Sequence, residues 1–189
     1  MQRMKLSWTL LLLTLFLIPL VACTQVPVNE ATVIHISDPY LEQLVREHLQ
    51  IDGEITNKHL LQLEHLESWD HRPVKSLNGL QYAKNLECII LPFAQIDDLT
   101  PLENLPHLQA IHLKGNLIDD IESLTLMPNL NWIILDHNQL ANLSSLRELQ
   151  DHPNLQYLFL RENPLTMNKK ELKQVQADLA VAGIYLYLN

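Results

Sequence analysis

Nine histidines, 22 carboxylate side chains and two cysteines are the groups in this 189-residue chain that could carry acid–base, metal or thiol chemistry. Their spacing does not concentrate that chemistry. A hydrolytic or metal-assisted site needs several polar groups converging on one point, and the chain has no HExxH, CxxC, phosphate-loop or GxSxG element. His107 and His112 are only loosely associated, five residues apart. The pairs Asp97–Asp98 and Asp119–Asp120 recur at a 22-residue step and form an acidic column. Such carboxylates commonly accept hydrogen bonds from nearby turn backbone, so they read as solvated turn residues in preference to a calcium site. No catalytic residue, metal ligand set or cofactor is assigned. A formal charge of −9 without a basic stripe argues against nucleic-acid binding, and two cysteines exclude a disulfide-dense scaffold.

One thiol has a clear context. Arg3 and Lys5 precede an apolar run from Leu10 to Leu20, interrupted by Pro19. The run is shorter than the roughly 20 apolar residues of a spanning helix and reads as a secretory signal. Leu20, Val21, Ala22 and Cys23 follow, with small residues ahead of a thiol that can take a lipid. In this the segment resembles the leader of bacterial lipoproteins. The resemblance implies a signal over residues 1–22, cleavage before Cys23, acylation of that thiol (a palmitate-type anchor), and a location on the extracytoplasmic side of a bacterial cell membrane. Residues 23–31 would then be a short tether. Removing residues 1–22 takes away Arg3 and Lys5 and moves the formal charge from −9 to −11. Anionic lipid would repel such a domain, leaving the acyl chains to hold the membrane. Cys88 remains as a single thiol and reads as a packed apolar residue.

The elements that position everything else are set by a repeat. There are 41 leucines, eight of them in the leader. Leu86, Leu108 and Leu130 lie 22 residues apart, with Leu155 following after 25. Ile89, Ile111, Ile133 and Leu158 keep the same steps, as do Leu91, Leu113, Leu135 and Leu160, and then Ile96, Ile118, Leu140 and Leu165. Three further columns are Leu99, Ile121 and Leu143; Leu102, Leu124 and Leu146; and Leu105, Met127 and Leu149. An incomplete earlier copy shows in Val74, Leu77, Leu80 and Ala83, after Leu63 and Leu66, making about five units over residues 63–165. The two-residue alternation in each unit predicts a short strand, and the later steps of three suit an extended or 3₁₀ return. One coil cannot bury its own leucines, whereas stacked coils can, by pairing their strands into a parallel sheet. Asn116, Asn138 and Asn163 share one position, where an amide can satisfy turn backbone groups; the first unit has Ala94 there.

With this pattern the chain resembles the internalin-type leucine-rich repeat proteins of bacteria, most closely in Asn78 to Leu91 and Gln95 to Leu105. The resemblance implies an α/β solenoid, a curved right-handed coil with a short parallel β-sheet on its concave face. The repeat number is small and the last unit carries three extra residues around Gln150 to His152, and the family's partners are diverse. An open solenoid needs its ends covered. Residues 32–62 are expected to do this at the start. Val33 to Ile36 alternates, Asp38 and Pro39 open a helix with Leu41, Leu44, Val45 and Leu49 on one face, and Thr56 begins a second helix. Residues 166–189 are expected to close the other end, with Asn168 and Glu171 at capping-box spacing, a helix bearing Leu172, Val175 and Leu179, and a final strand at Ile184 to Leu188.

The register also predicts the open face, because residues flanking each buried strand residue point to the concave side. The first column is Cys88, Ala110, Trp132 and Tyr157, and the second is Ile90, His112, Ile134 and Phe159. Beyond them come Pro92, Lys114, Asp136 and Arg161, then Phe93, Gly115, His137 and Glu162. Exposed apolar patches rich in Trp, Tyr, Phe and Arg are characteristic of interaction sites. Ile90, Phe93, His112, Trp132, Ile134, Asp136, Tyr157, Phe159 and Arg161 are therefore the candidate contacts of a protein or peptide ligand. The bland alternative is mutual packing of large side chains across strands. Five strands of about 15 Å at about 4.8 Å spacing offer about 360 Å², against about 800 Å² per partner in a standard interface. A ligand must then also touch loops or be a peptide. A second reading is a structural envelope component whose face is permanently covered or self-associates.

Overall fold

The computed structural model describes residues 31–141, 144–166 and 169–188. The leader, Cys23, Leu143 and Asn168 lie outside the described residues. Residues 31–189 form one unit around a single core. Its element order starts with helices α1 (Pro39–Leu49) and α2 (Asn57–Leu60) and strands β1 (His65–Glu67), β2 (Cys88–Ile90), β3 (Ala110–His112), β4 (Trp132–Ile134) and β5 (Tyr157–Phe159). Helix α3 (Lys169–Val181) and strand β6 (Tyr185–Tyr187) follow. The six strands make one parallel sheet in chain order, without a crossover.

Each strand is three residues long, and β1 to β5 each bury only the middle side chain, so no coil is stable alone. Leu66, Ile89, Ile111, Ile133 and Leu158 stack across the sheet in register. The return path tightens into 3₁₀ turns at Leu80–Tyr82, Thr100–Leu102, Glu122–Leu126 and Ser144–Asp151. Steps of three put Leu102, Leu124 and Leu146 on the inner side of those turns, where all are buried. Leu165 departs from the ladder and only packs against the core's margin.

The asparagine column fastens coil to coil. Asn138 accepts from the Ile118 N–H (3.0 Å) and donates Nδ2–H to the carbonyls of Leu113 (3.0 Å) and Leu135 (3.0 Å). Asn116 repeats this with Ile96, Leu91 and Leu113, and Asn163 with Leu140, Leu135 and Leu160. The Leu113 and Leu135 carbonyls each accept from two successive asparagines, so the ladder is continuous from one turn to the next.

Before the first strand, Asp38 accepts from the N–H groups of Tyr40 and Leu41 (both 3.0 Å) and opens α1. Its second oxygen accepts from Lys75 N–H (2.8 Å), tying the helix start to the first coil, a link the sequence does not announce. Leu41, Leu44 and Val45 of α1 join the core. Thr56 opens α2 in a capping box completed by His59. Residues Val33 to Ile36, expected to alternate as a strand, make only an isolated bridge between Val33 and Thr56. Beyond β5, Val175 and Leu179 of α3 are buried and Gly183, at φ 84°, turns the chain into β6. No helix among the described residues is long and apolar enough to cross a membrane.

The three extra residues of the last full coil are absorbed by the long 3₁₀ turn and seated by His152. Its Nδ1 accepts from Leu155 N–H (3.0 Å) and its Nε2 bonds the Met127 carbonyl (3.0 Å), so the ring serves as a neutral staple. Burial holds this imidazole below its ordinary value, with the Met127 carbonyl opposing.

Two outcomes follow. Replacing Asn138 by Ala leaves the buried Ile118 N–H without its acceptor and the Leu113 and Leu135 carbonyls with one asparagine donor each, and should cost on the order of 2 kcal/mol in urea unfolding. The half-open Asn163 should cost less when replaced by Ala, and equal losses would refute the burial argument. For His152 the native state binds fewer protons than the unfolded chain as pH falls below about 6.5, so stability is retained above that pH and lost below it. Melting scans of His152→Asn should therefore fall less steeply between about pH 7.5 and 5.5 than those of the parent.

Candidate functional site

The open sheet face carries two columns, in the predicted register. Cys88, Ala110, Trp132, Tyr157 and Tyr185 pair across the strands, and beside them Ile90, His112, Ile134, Phe159 and Tyr187. Strand spacing of about 4.8 Å is close to the separation at which aromatic rings stack, so adjacent large rings engage one another. Trp132 lies 4.7 Å from Tyr157 and 5.5 Å from Phe159, centroid to centroid. The stack runs on to Tyr185 (5.5 Å from Tyr157) and Tyr187 (4.3 Å from Phe159, planes 6° apart). The mutual packing set out as the bland alternative is therefore present. It does not hide the rings: Trp132 is 40% exposed and Tyr185 60%.

At the strand exits the backbone turns through the left-handed region in every coil. His71, Phe93, His137 and Glu162 all have φ near 55°, and Gly115 has φ 72°. Left-handed backbone carries a cost for residues with a Cβ. Gly115 is the informative exception, because a Cβ there would stand 2.4 Å from the Phe93 ring, so glycine lets that ring lie across the next coil. His71 meets the same ring edge-on at 5.0 Å, and Lys114 Nζ stands 5.9 Å from its centre. Trp69 packs edge-on against His112 at 5.5 Å.

These groups line a hollow of about 330 Å³ together with Pro92, Ile134, Asp136 and Arg161. Asp136 was expected to offer its carboxylate to a ligand. It is instead only 4% exposed, accepting from Arg161 N–H (2.8 Å), Nε (3.2 Å) and Nη2 (3.0 Å). An internal carboxylate is stabilised by such charge-assisted bonds, and here the result is to hold Arg161 over the face, 5.6 Å from the Phe159 ring centre. Asp136 is thus a positioning residue. Burial lowers the His112 pKa, Lys114 adds to the effect and Asp136 opposes it.

The structure thus brings Phe93, His112, Ile134, Asp136 and Arg161 to one hollow and Trp132, Tyr157 and Phe159 to one stack. Ile90 lies half-buried on β2, between Glu67 and His112 in the same column. Trp69 and His71 escaped the sequence reading because the incomplete earlier copy is degenerate. Counting back 22 residues from the left-handed Phe93 would have reached His71. Tyr185 and Tyr187 were recognised as strand residues but not as the continuation of the aromatic columns. A second column of amides, Asn85, Asn129 and Asn154, was also legible at repeat spacing. Their side chains donate to the Leu61, Pro106 and Pro128 carbonyls of the preceding coil.

The remaining polar groups have local roles. Asp98 and Asp120 accept from the N–H groups two residues on, Thr100 (2.8 Å) and Glu122 (2.9 Å). No cluster of three or more metal-ligating side chains occurs among the described residues. Burial pushes the Cys88 thiol pKa up and Glu67 adds to the rise, which is the opposite of thiol activation.

Neither a protein-family model nor a curated protein matches the sequence. Solved structures do. An internalin (inlF) from Listeria monocytogenes superposes with a TM-score of 0.62 at 24% identity, over 80% of this chain and 50% of that one. The functional domain of InlJ from the same organism, described as including a cysteine ladder, gives 0.59 at 20% identity over 70% of this chain and 28% of that one. The fold is that of a leucine-rich repeat solenoid. The chain spans half the length of the first internalin and less of the second. A chain of the Drosophila melanogaster SNF/U2A′ complex gives 0.50 at 23% identity, over 66% of this chain and 71% of that one. The likeness concerns the solenoid frame; the side chains on the face are this chain's own.

Gly115→Ala tests the construction of the hollow. It combines left-handed backbone with a collision against the Phe93 ring, and should cost about 1–3 kcal/mol of stability. Phe93→Ala in the same background removes the collision and should recover part of the loss in chemical denaturation.

Proposed function

We propose that the chain is a membrane-anchored, extracytoplasmic binding module that recognises a protein or peptide through the concave face and has no catalytic step. The observation that supports this best is the stack of Trp132, Tyr157, Phe159, Tyr185 and Tyr187, exposed at Trp132, Tyr185 and Tyr187, beside the hollow at the strand exits. Large rigid rings supply contact area at low conformational cost, and Trp, Tyr and Arg are the residue types most enriched at binding hot spots. Six strands of three residues make a sheet of only about 300 Å². A ligand must therefore lie along the rings and reach the turns beyond them, which suits an extended segment. In this reading the lipid on Cys23 brings the face to the membrane surface, where several copies would gain avidity.

Trp132→Ala combined with Phe159→Ala should weaken capture of a crosslinked partner from intact cells at least tenfold, while the melting temperature falls by only a few degrees. Unchanged capture by the folded double variant would refute the assignment of the face. Cys23→Ser should abolish labelling by radioactive palmitate and release the protein from the membrane fraction; persistence there would refute the anchor. A permanently covered or self-associating structural component is the second reading, favoured by the exposed rings of the edge strand β6. Light scattering showing a stable monomer with quenchable Trp132 fluorescence would count against it.

A further inference from the structure

The chain is acidic, with a formal charge of −9, yet its hollow at the strand exits presents cations to solvent. Among the lining residues Asp136 is the one carboxylate, and its charge is already engaged by Arg161. The Arg161 side chain remains half exposed (51%). Lys114 forms no ion pair among the described residues and rests beside the Phe93 ring. Lys114 and Arg161 occupy the same repeat position two strands apart, with Asp136 between them, so their backbones are about 10 Å apart. Two long cationic side chains at that distance can close on one carboxylate. Around them stand the apolar surfaces of Trp69, Phe93 and Ile134.

From this, and resting on the face-binding reading above, we infer that the hollow is the subsite for a single acidic side chain of an extended peptide, seated beside an apolar or aromatic residue of the same peptide. The local charge complementarity attracts one anion. At longer range the acidic remainder of the domain repels polyanions, so an isolated Asp or Glu in an apolar context is selected over a nucleic acid or a phosphorylated polymer. Apolar walls strengthen the ion pairs by limiting water, and the aromatic stack continues the contact along the strand direction.

A random dodecamer display library selected on the purified protein tests this directly. Enriched sequences should carry one Asp or Glu adjacent to a Leu, Ile, Phe, Tyr or Trp. A synthetic peptide of that sequence should bind Lys114→Glu at least tenfold more weakly and Lys114→Gln with an intermediate loss, weaken with added salt, and lose binding when its acid becomes an amide. Replacing the peptide's acid with Lys should restore part of the affinity for Lys114→Glu. Peptides that depend on Trp132 and Phe159 but show no acidic enrichment and ignore Lys114→Glu would overturn this inference while leaving the face reading standing. Peptides that bind the Trp132→Ala/Phe159→Ala variant undiminished, or no enrichment at all, would overturn both. A preference for polyglutamate over the isolated acid would also overturn the inference.

Discussion

The coils of β2 to β5 leave their strands through turns whose Leu91, Leu113, Leu135 and Leu160 carbonyls accept from asparagine amides, and the fold depends on how those carbonyls are satisfied. The bonds of the inner rungs, Asn116 and Asn138, are buried, and a carbonyl buried without a donor costs about as much as several good packing contacts contribute. The asparagine amide answers this by donating to its own coil and to the preceding one while its oxygen accepts the preceding coil's N–H. Coil spacing and strand register are thereby set by one side chain per turn. Leucine burial supplies the larger energy, but it is tolerant of small slips, whereas the hydrogen bonds of the ladder are not.

The same constraint explains where the ladder stops. At Ala94 the column loses its amide, and the coil beneath is held by other means. Asp38 reaches from the start of α1 to the Lys75 N–H, and Arg72 pairs with Glu47 of α1 and with Asp70. Ile36 packs so closely that a side chain at Gly79 would strike it, and Gly79 has φ 112°. Specific polar contacts and close packing thus take over where the repeat degenerates. In the long coil the neutral His152 adds a staple to the Met127 carbonyl beside the Asn154 amide's bond to the Pro128 carbonyl.

Periodic features were the ones legible in sequence, since each was written several times. The columns Leu86 to Leu155 and Ile89 to Leu158 gave the parallel sheet, and the helix starts at Asp38 and Thr56 were readable because capping chemistry is local. Contacts that occur once were not readable: Asp38 with Lys75 spans 37 residues, and nothing in either neighbourhood signals the other. The face was legible as an array of columns but not as a surface. Asp136 took its place in the right column, yet a column cannot show that its carboxylate folds back onto Arg161 one coil later. Likewise Phe93, Gly115, His137 and Glu162 were legible as a column but not as a run of left-handed backbone.

Those left-handed residues matter because they decide what the face can present. A solenoid frame fixes the directions of its side chains almost completely, so chemistry can vary only at positions the ladder and the core do not use. In this chain those positions hold a ring at Phe93, made possible by glycine one coil later, and a lysine at 114 with no carboxylate partner among the described residues. Beside them stands Arg161, whose charge is held outward by the buried Asp136. A stack of rings alone would be indifferent to its ligand's charge, and a cationic hollow alone would take any anion. Side by side on a sheet too small for a flat protein interface, they restrict one another: the rings require an extended apolar segment, and the hollow requires that the segment carry a negative charge at one point.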